Sequence, residues 1–340
     1  MQNYAFGVHS IRIGVLGASG YSGRELCGLV AGHPRLSLAF ATANARRGQT
    51  LRVRAAGRVH DIPLVGQDEA DLTSADLVFC ALPHGASADW AAKAVAAGAR
   101  VVDLSSDLRP GFGGSEHGPP AGLPADAPYG LPELFRERIR GARVVANPGC
   151  YATSVLVALA PLVRAGLVAP GATISVASAS GVSGAGASPK LELLFAEVTE
   201  NYRPYGVGNS HRHLHEMRAT LNTLGADVDL LFTPHLLPID RGILSTITVP
   251  LSRPLDDALA PFRDAYAGEP FIELTTDLPS TADVERRNVV RIGARVPEGM
   301  RTPHLLVFSA IDNLVKGAAG QAMQNANLML GLDETMGLQQ

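Results

Sequence analysis

Cys150 stands in the run NPGCYATSVLVALAPLVRAG, just after a Pro-Gly turn and just before a long apolar stretch. Residues 143–146 read as a strand, Asn147-Pro148-Gly149 turns the chain, and the run from Cys150 to near Gly166 has the length and composition of a helix. The thiol therefore opens a helix, where unpaired backbone N–H groups and the macrodipole favour a thiolate. A free cysteine of pKa near 8.5 is only about 3% ionised at pH 7, and half-ionisation requires about 2 kcal/mol. A helix end supplies about 0.3–1 kcal/mol, so a second partner is needed. The stretch PYGVGNSHRHLHEM offers His211, His213 and His215 at alternate positions. A cysteine and a histidine brought together by a fold form a nucleophile–base couple. No cysteine or carboxylate accompanies these histidines at a zinc-like spacing, so no metal site is expected. The plainer alternative is a solvated polar start to a helix that runs to Gly225.

A second chemistry lies in IRIGVLGASGYSGREL. A β-type run, Ile11 to Leu16, enters a turn carrying Gly17, Gly20 and Gly23 and then a helix, so backbone amides can meet a pyrophosphate without Cβ obstruction. The whole turn, Gly17, Ala18, Ser19, Gly20, Tyr21, Ser22 and Gly23, is a candidate dinucleotide site. After the second strand, where an NAD site often places an acid, the chain has Thr42, Asn44, Arg46 and Arg47 instead. That pattern favours NADP, since a guanidinium pairs with the 2′-phosphate; ordinary surface arginines are the alternative. Arg109 and Arg241 are forked donors suited to a carboxylate or phosphate, with structural ion pairing as the competing role.

Positioning these groups requires two layered units. From residue 11 to 149, strand-like runs (11–16, 36–41, 77–82, 100–104 and 143–146) alternate with helical segments such as 87–97, a doubly wound pattern. Between 150 and 314 come a helix, a Gly/Ser-rich loop, a histidine-led helix and β-type runs that suggest a mixed sheet. The final DNLVKGAAGQAMQNANLMLG is helical. The expectation is an α/β protein with a Rossmann-type NADP domain (1–149 and 315–340) and an α+β catalytic and oligomerisation domain (150–314). Its C-terminal helix would return to the first domain. At 340 residues with 46% hydrophobic and 18% charged residues, the chain can bury such cores. A net charge of -3 with mixed signs gives no footprint for nucleic acid or an anionic membrane, which points to a small-molecule partner. Residues 1–10 lack a secretory pattern and no apolar run reaches a membrane-spanning length, so a cytoplasmic location is expected. Cys27 and Cys80 read as core residues.

The ordered set GASGYSG, DLSSDLR, NPGCYAT, SGVSGAG, PYGVGNSHRH, FTPHLLPIDRGI and NLVKGAAGQAMQN resembles the N-acetyl-γ-glutamyl-phosphate reductases across nearly the whole chain. DLSSDLR carries Ser106 and Leu108 where that family commonly has Ala and Phe, and His215 stands where it usually has Pro. The resemblance implies an architecture shared with aspartate-semialdehyde dehydrogenases and a role in arginine biosynthesis. It implies reduction of N-acetyl-γ-glutamyl phosphate with NADP(H), through a Cys150 thioester. His213 is favoured as the proton-handling group and His211 as an orienting one. Arg109, Ser105, Asn147 and Arg241 would meet substrate. Ser180, Gly181, Ser183, Gly184, Asn313, Lys316 and Gly317 would join Thr42, Arg46, Arg47 and the glycine turn around the cofactor. A homodimer or homotetramer is expected from an apolar sheet face. The competing readings are a lysine-route reductase of a carrier-protein-linked aminoadipyl phosphate, a cysteine hydrolase and a non-catalytic NADP sensor.

Overall fold

A computed structural model describes residues 10–112 and 122–338. Residues 108–130, whose Pro- and Gly-rich sequence LRPGFGGSEHGPPAGLPADAPYG reads as a loop, lie partly outside them. The first unit alternates strands and helices: β1 (Ile11–Leu16), α1 (Tyr21–Gly32), β2 (Leu36–Ala41), β3 (Thr50–Ala55), β4 (Arg58–Pro63), β5 (Leu77–Cys80), α2 (Ser87–Ala96), β6 (Arg100–Asp103), α3 (Pro132–Ile139) and β7 (Val144–Ala146). β1, β2, β5, β6 and β7 form a parallel sheet in the order β2-β1-β5-β6-β7. β5 is buried along its whole length, as an inner parallel strand covered on both faces must be. The strand order reverses between β1 and β5, and their carboxyl ends, at Gly17 and Ala81, border a cleft. Ligands of doubly wound sheets occupy such a switch point. β3 and β4 form a separate antiparallel hairpin.

The second unit begins with α4 (Cys150–Arg164), followed by β8 (Ala172–Gly181), α5 (Phe195–Val198), β9 (Arg203–Pro204), α6 (His213–Thr223), β10 (Val228–Leu237), β11 (Ile243–Pro250), α7 (Ala260–Ala265), β12 (Ile272–Thr275), β13 (Val290–Arg295) and β14 (His304–Ile311). Its seven strands form a mixed sheet in the order β12-β13-β14-β11-β8-β10-β9. α4 is nearly all apolar because it is the central helix of this unit: Tyr151 to Leu162 are all buried. Val155, Leu159, Met217 and Phe262, from α4, α6 and α7, pack against Val176, Phe232, Ile247 and Val307 of the sheet. The opposite face alternates out of this core; along β11 every second residue from Leu244 is only half-buried.

After β14 the chain makes one π-helical turn, Val315–Ala319, and runs into α8 (Gly320–Met329). Ala322, Met323 and Ala326 of α8 join Ile13, Leu26 and Phe79 in the core of the first unit. The C-terminal helix thus returns to the parallel sheet, and α8 is buried throughout because it is wedged between layers. The sequence showed no break between the π turn and the helix.

Candidate active site

Between the two units lies a cleft of about 630 Å3, lined by the glycine turn, Arg46, Ala81, Asn147, Cys150, Ser183, Gly184, Arg212, His213, Asn313 and Gly317. Its ends differ in chemistry. At one end the β1–α1 turn is shaped for close backbone approach. Gly17 has φ +85°, and a Cβ there would lie 2.3 Å from the Ala81 carbonyl oxygen; one on Gly23 would lie 2.2 Å from the Gly17 carbonyl oxygen. Gly20 has nothing nearer than 3.6 Å to its would-be Cβ, leaving open space toward the cleft. No side chain caps α1, so its first-turn amides are left for an external anion. These features fit a dinucleotide pyrophosphate. Thr42 is buried and works on the turn itself, its Oγ1 accepting from Gly17 N at 3.2 Å and its carbonyl from Ala18 N at 2.8 Å. Arg46 lines the cleft and forms no ion pair among the described residues, whereas Arg47 is paired with Glu69.

At the other end, Cys150 is the first residue of α4 and is partly exposed to the cleft. Gly317, in the π turn, packs against it; a Cβ on Gly317 would lie 2.7 Å from the Cys150 Cβ. His213, at the start of α6, lines the same cleft and is nearly buried. A Cβ on Gly149 would sit 2.6 Å from His213 Nε2 and 2.5 Å from Glu216 Oε1, so a glycine is what lets both reach the amino end of α4. His211 does not line the cleft. Its Nδ1 accepts from His213 N at 3.2 Å, and its ring meets Tyr151, Tyr205 and Phe232 edge-on.

Burial pushes the Cys150 thiol up to about 11, against the opposing pull of the Tyr151 N–H and Arg109. Burial, then Arg109, His211 and Arg212, hold the His213 imidazole well below its ordinary value. His211 is pushed down to about 4, by burial and then Arg212. The free site at neutral pH is therefore a thiol beside a neutral imidazole, not a preformed ion pair. The helix terminus alone does not overcome desolvation.

Glu216, one turn after His213 on the same face of α6, organises the site from behind. Fully buried, it accepts from Arg109 Nη1 (3.1 Å), Tyr129 Oη (2.7 Å) and Gly149 N (3.1 Å), and lies 4.0 Å from His213 Nε2. Sequence reasoning gave it no role, although its i, i+3 spacing from His213 was a usable signal. Tyr129, far away in the chain, offered none.

Several residues expected to face ligands are committed elsewhere. Arg109 borders the cleft, but its Nε donates to Asn147 O (2.7 Å) and its Nη2 to Leu104 O (2.7 Å), besides Nη1 to Glu216. Its fork is spent on shaping the site. Arg241 is outside the cleft lining and ties Glu25 of α1 (2.8 Å) to Asp312 (3.4 Å). Lys316 is also absent from the lining; its ammonium is completely buried against Glu133 Oε1 (2.6 Å) and Gln324 Oε1 (2.7 Å). Ser105 Oγ donates to Asp103 at 2.8 Å and accepts from Asp107 N at 3.0 Å. Ser180 Oγ donates to the Gly181 carbonyl at 3.0 Å, and neither residue borders the cleft. Asn147 does border it, with its amide held between the Ala318 carbonyl (3.2 Å) and Asn325 Nδ2 (2.9 Å). Asn313 Nδ2 donates to Ser183 Oγ at 3.0 Å, fixing that wall.

Residues 12–142 match the semialdehyde dehydrogenase NAD binding domain, and residues 150–313 match the semialdehyde dehydrogenase dimerisation domain. The aspartate semialdehyde dehydrogenase II of Vibrio cholerae, in complex with ASA, superposes with a TM-score of 0.75 at 21% identity, covering 95% of this chain and 99% of that one. The aspartate semialdehyde dehydrogenase of Candida albicans with NADP gives a TM-score of 0.67 at 17% identity, covering 94% and 98%. These two share the fold. In sequence, the N-acetyl-γ-glutamyl-phosphate reductase of Symbiobacterium thermophilum is 44% identical over 97% of both chains. That of Halorhodospira halophila is 43% identical over 97% of this chain and 98% of its own. With such identity over nearly its full length, the chain belongs to the N-acetyl-γ-glutamyl-phosphate reductase family.

Proposed function

We propose that this chain reduces N-acetyl-γ-glutamyl phosphate to N-acetylglutamate 5-semialdehyde with NADPH, releasing phosphate, as the names of its relatives indicate. The observation that carries the chemistry is Cys150 at the head of α4, sharing one cleft with His213 and with the glycine turn of the β1–α1 crossover. The glycine turn would hold the pyrophosphate and Arg46 the 2′-phosphate, while Ser183, Gly184, Asn313 and Gly317 would form the opposite wall. NADPH, when bound, supplies a hydride to the acyl carbon.

The residues of the chain do the rest. His213, neutral at rest, takes the Cys150 proton as the sulfur attacks the γ-carbonyl carbon, and the C–O bond to phosphate breaks to leave a thioester on Cys150. Glu216 stabilises the imidazolium so formed, an electrostatic role the 4.0 Å separation supports. Hydride addition to the thioester would leave a tetrahedral alkoxide on Cys150; it collapses to the aldehyde as the C–S bond breaks, and the departing thiolate takes back from His213 the proton it gave up. His211 fixes the start of α6 and so the direction of His213.

The two units are 1–149 with 315–340, which bind cofactor, and 150–314, which carry the nucleophile. The half-exposed face of the seven-stranded sheet, with Leu244, Leu306 and Phe308, is the surface through which a homodimer or homotetramer would form. No helix among the described residues is long and apolar enough to cross a membrane; a cytoplasmic location is the corresponding proposal. The function is tested by supplying purified protein with NADPH and N-acetyl-γ-glutamyl phosphate. One phosphate released per NADPH oxidised supports the assignment. Reduction only of a carrier-protein-linked aminoadipyl phosphate, or phosphate release without NADPH oxidation, overturns it.

A further inference from the structure

Arg212 immediately precedes α6 and lines the cleft beside Cys150 and His213. Among the described residues nothing uses its guanidinium: it enters no ion pair and donates no side-chain hydrogen bond. That is unusual company for the other arginines near the site. Arg109 has all three of its nitrogens bonded to Asn147, Leu104 and Glu216. Arg241 is held by Glu25, Asp240 and Asp312 behind the cleft wall. Arg46 lies at the far end of the cleft, with Ala45 near the glycine turn. Among the described residues, one forked cation with unpaired donors therefore remains at the nucleophile's end. Its charge is felt there, since it opposes the effect of burial on the Cys150 thiol and helps depress both His211 and His213.

The substrate class named above brings two anionic groups into this end of the cleft, an acyl phosphate and a carboxylate. Taking either out of water without a counter-charge is strongly unfavourable, and a guanidinium matches both geometrically. We propose that Arg212 receives an oxyanion of the substrate beside Cys150 and is the specificity-determining cation of the site; the inference rests on the functional reading given above. The sequence hid it between two histidines that drew attention as the reactive pair.

The test uses Arg212→Gln and Arg212→Lys in the full chain, with thermal stability and NADPH affinity as controls. Because Arg212 is exposed, both variants should fold and bind NADPH like the native protein. Arg212→Gln should lose roughly 10- to 100-fold in kcat/KM for the acyl phosphate, the range of one charge-assisted hydrogen bond, and Arg212→Lys should lose less. The reverse reaction separates the two oxyanions. A raised KM for inorganic phosphate alone identifies the leaving phosphate as the partner, and a raised KM for the aldehyde alone identifies the carboxylate. Native KM values for both, or a loss confined to NADPH affinity, overturn the proposal while native activity leaves the functional assignment standing. A native protein inactive on the acyl phosphate overturns both.

Discussion

His213 reaches the amino end of α4 only because residue 149 has no side chain: a Cβ there would stand 2.6 Å from Nε2 of the imidazole. Gly149 itself has φ -74°, a conformation open to any residue, so its substitution acts through this contact and not through backbone strain. Gly149→Ala should displace His213 and Glu216 and reduce kcat on the order of 10²-fold, the usual cost of misplacing a reacting group by about 1 Å. NADPH affinity, read by fluorescence titration, should stay near native. An alanine variant with native kcat would mean that His213 is not held by this contact during turnover.

The free thiol should react late in pH. With Cys27 and Cys80 buried, iodoacetamide reports on Cys150, whose thiol is pushed up to about 11. Only the thiolate is alkylated, so the rate should keep rising through pH 9 without a plateau near neutrality. A plateau below pH 8 would reveal a preformed thiolate–imidazolium pair and contradict the neutral resting state.

The two arginines after β2 should separate. Among the described residues Arg46 lines the cleft without an ion-pair partner and Arg47 is paired with Glu69, so Arg46 is the one proposed to meet a 2′-phosphate. Arg46→Ala should narrow the preference for NADPH over NADH by roughly tenfold or more, while Arg47→Ala should change it little. Steady-state kinetics with both cofactors check this, and equal effects would place the two side chains together on the phosphate.

Acid should destabilise the fold partly through His211. Its folded-state value is about 4 and its unfolded value near 6.5, so between those limits the unfolded chain binds more protons. Stability therefore falls as pH drops from 6.5 toward 4, by roughly 2–3 kcal/mol from this group when the whole window is crossed. His211→Asn keeps an acceptor for the His213 N–H and removes the titration. Urea unfolding at pH 6.5 and 4.5 should show a smaller acid loss in the variant; equal losses would exclude His211 as a contributor.

The sequence carried the features that local pattern controls. Parallel strands such as Leu77–Cys80 are short apolar runs bounded by turns, the glycine turn sits between strand and helix, and Cys150 follows a helix-starting Pro-Gly. The β3–β4 hairpin escaped although Leu51, Val53 and Ala55 alternate with Arg52 and Arg54, because β4 breaks the pattern: Val59 is exposed while His60 is half-buried. The partners of the charged groups were illegible for a different reason. Arg109 meets Glu216 across 107 residues, and Lys316 meets Glu133 across 183. Motif spacing marks Arg109, Arg241 and Lys316 as able to bind anions. Only packing shows that acids of the same chain already occupy them, leaving Arg212 as the unpaired cation at the nucleophile's end of the cleft among the described residues.

The central claim is that Cys150 forms a covalent acyl intermediate, and Cys150→Ser tests it most directly. The hydroxyl is nearly isosteric, so thermal stability and NADPH affinity should match the native protein, but an alcohol supplies no comparable nucleophile at neutral pH. The measurement is NADPH oxidation with N-acetyl-γ-glutamyl phosphate, beside those two controls. The account predicts a folded, cofactor-binding variant whose turnover falls by about 10³-fold or more; a folded variant that still turns over at near-native rate would show Cys150 to be structural and contradict the mechanism.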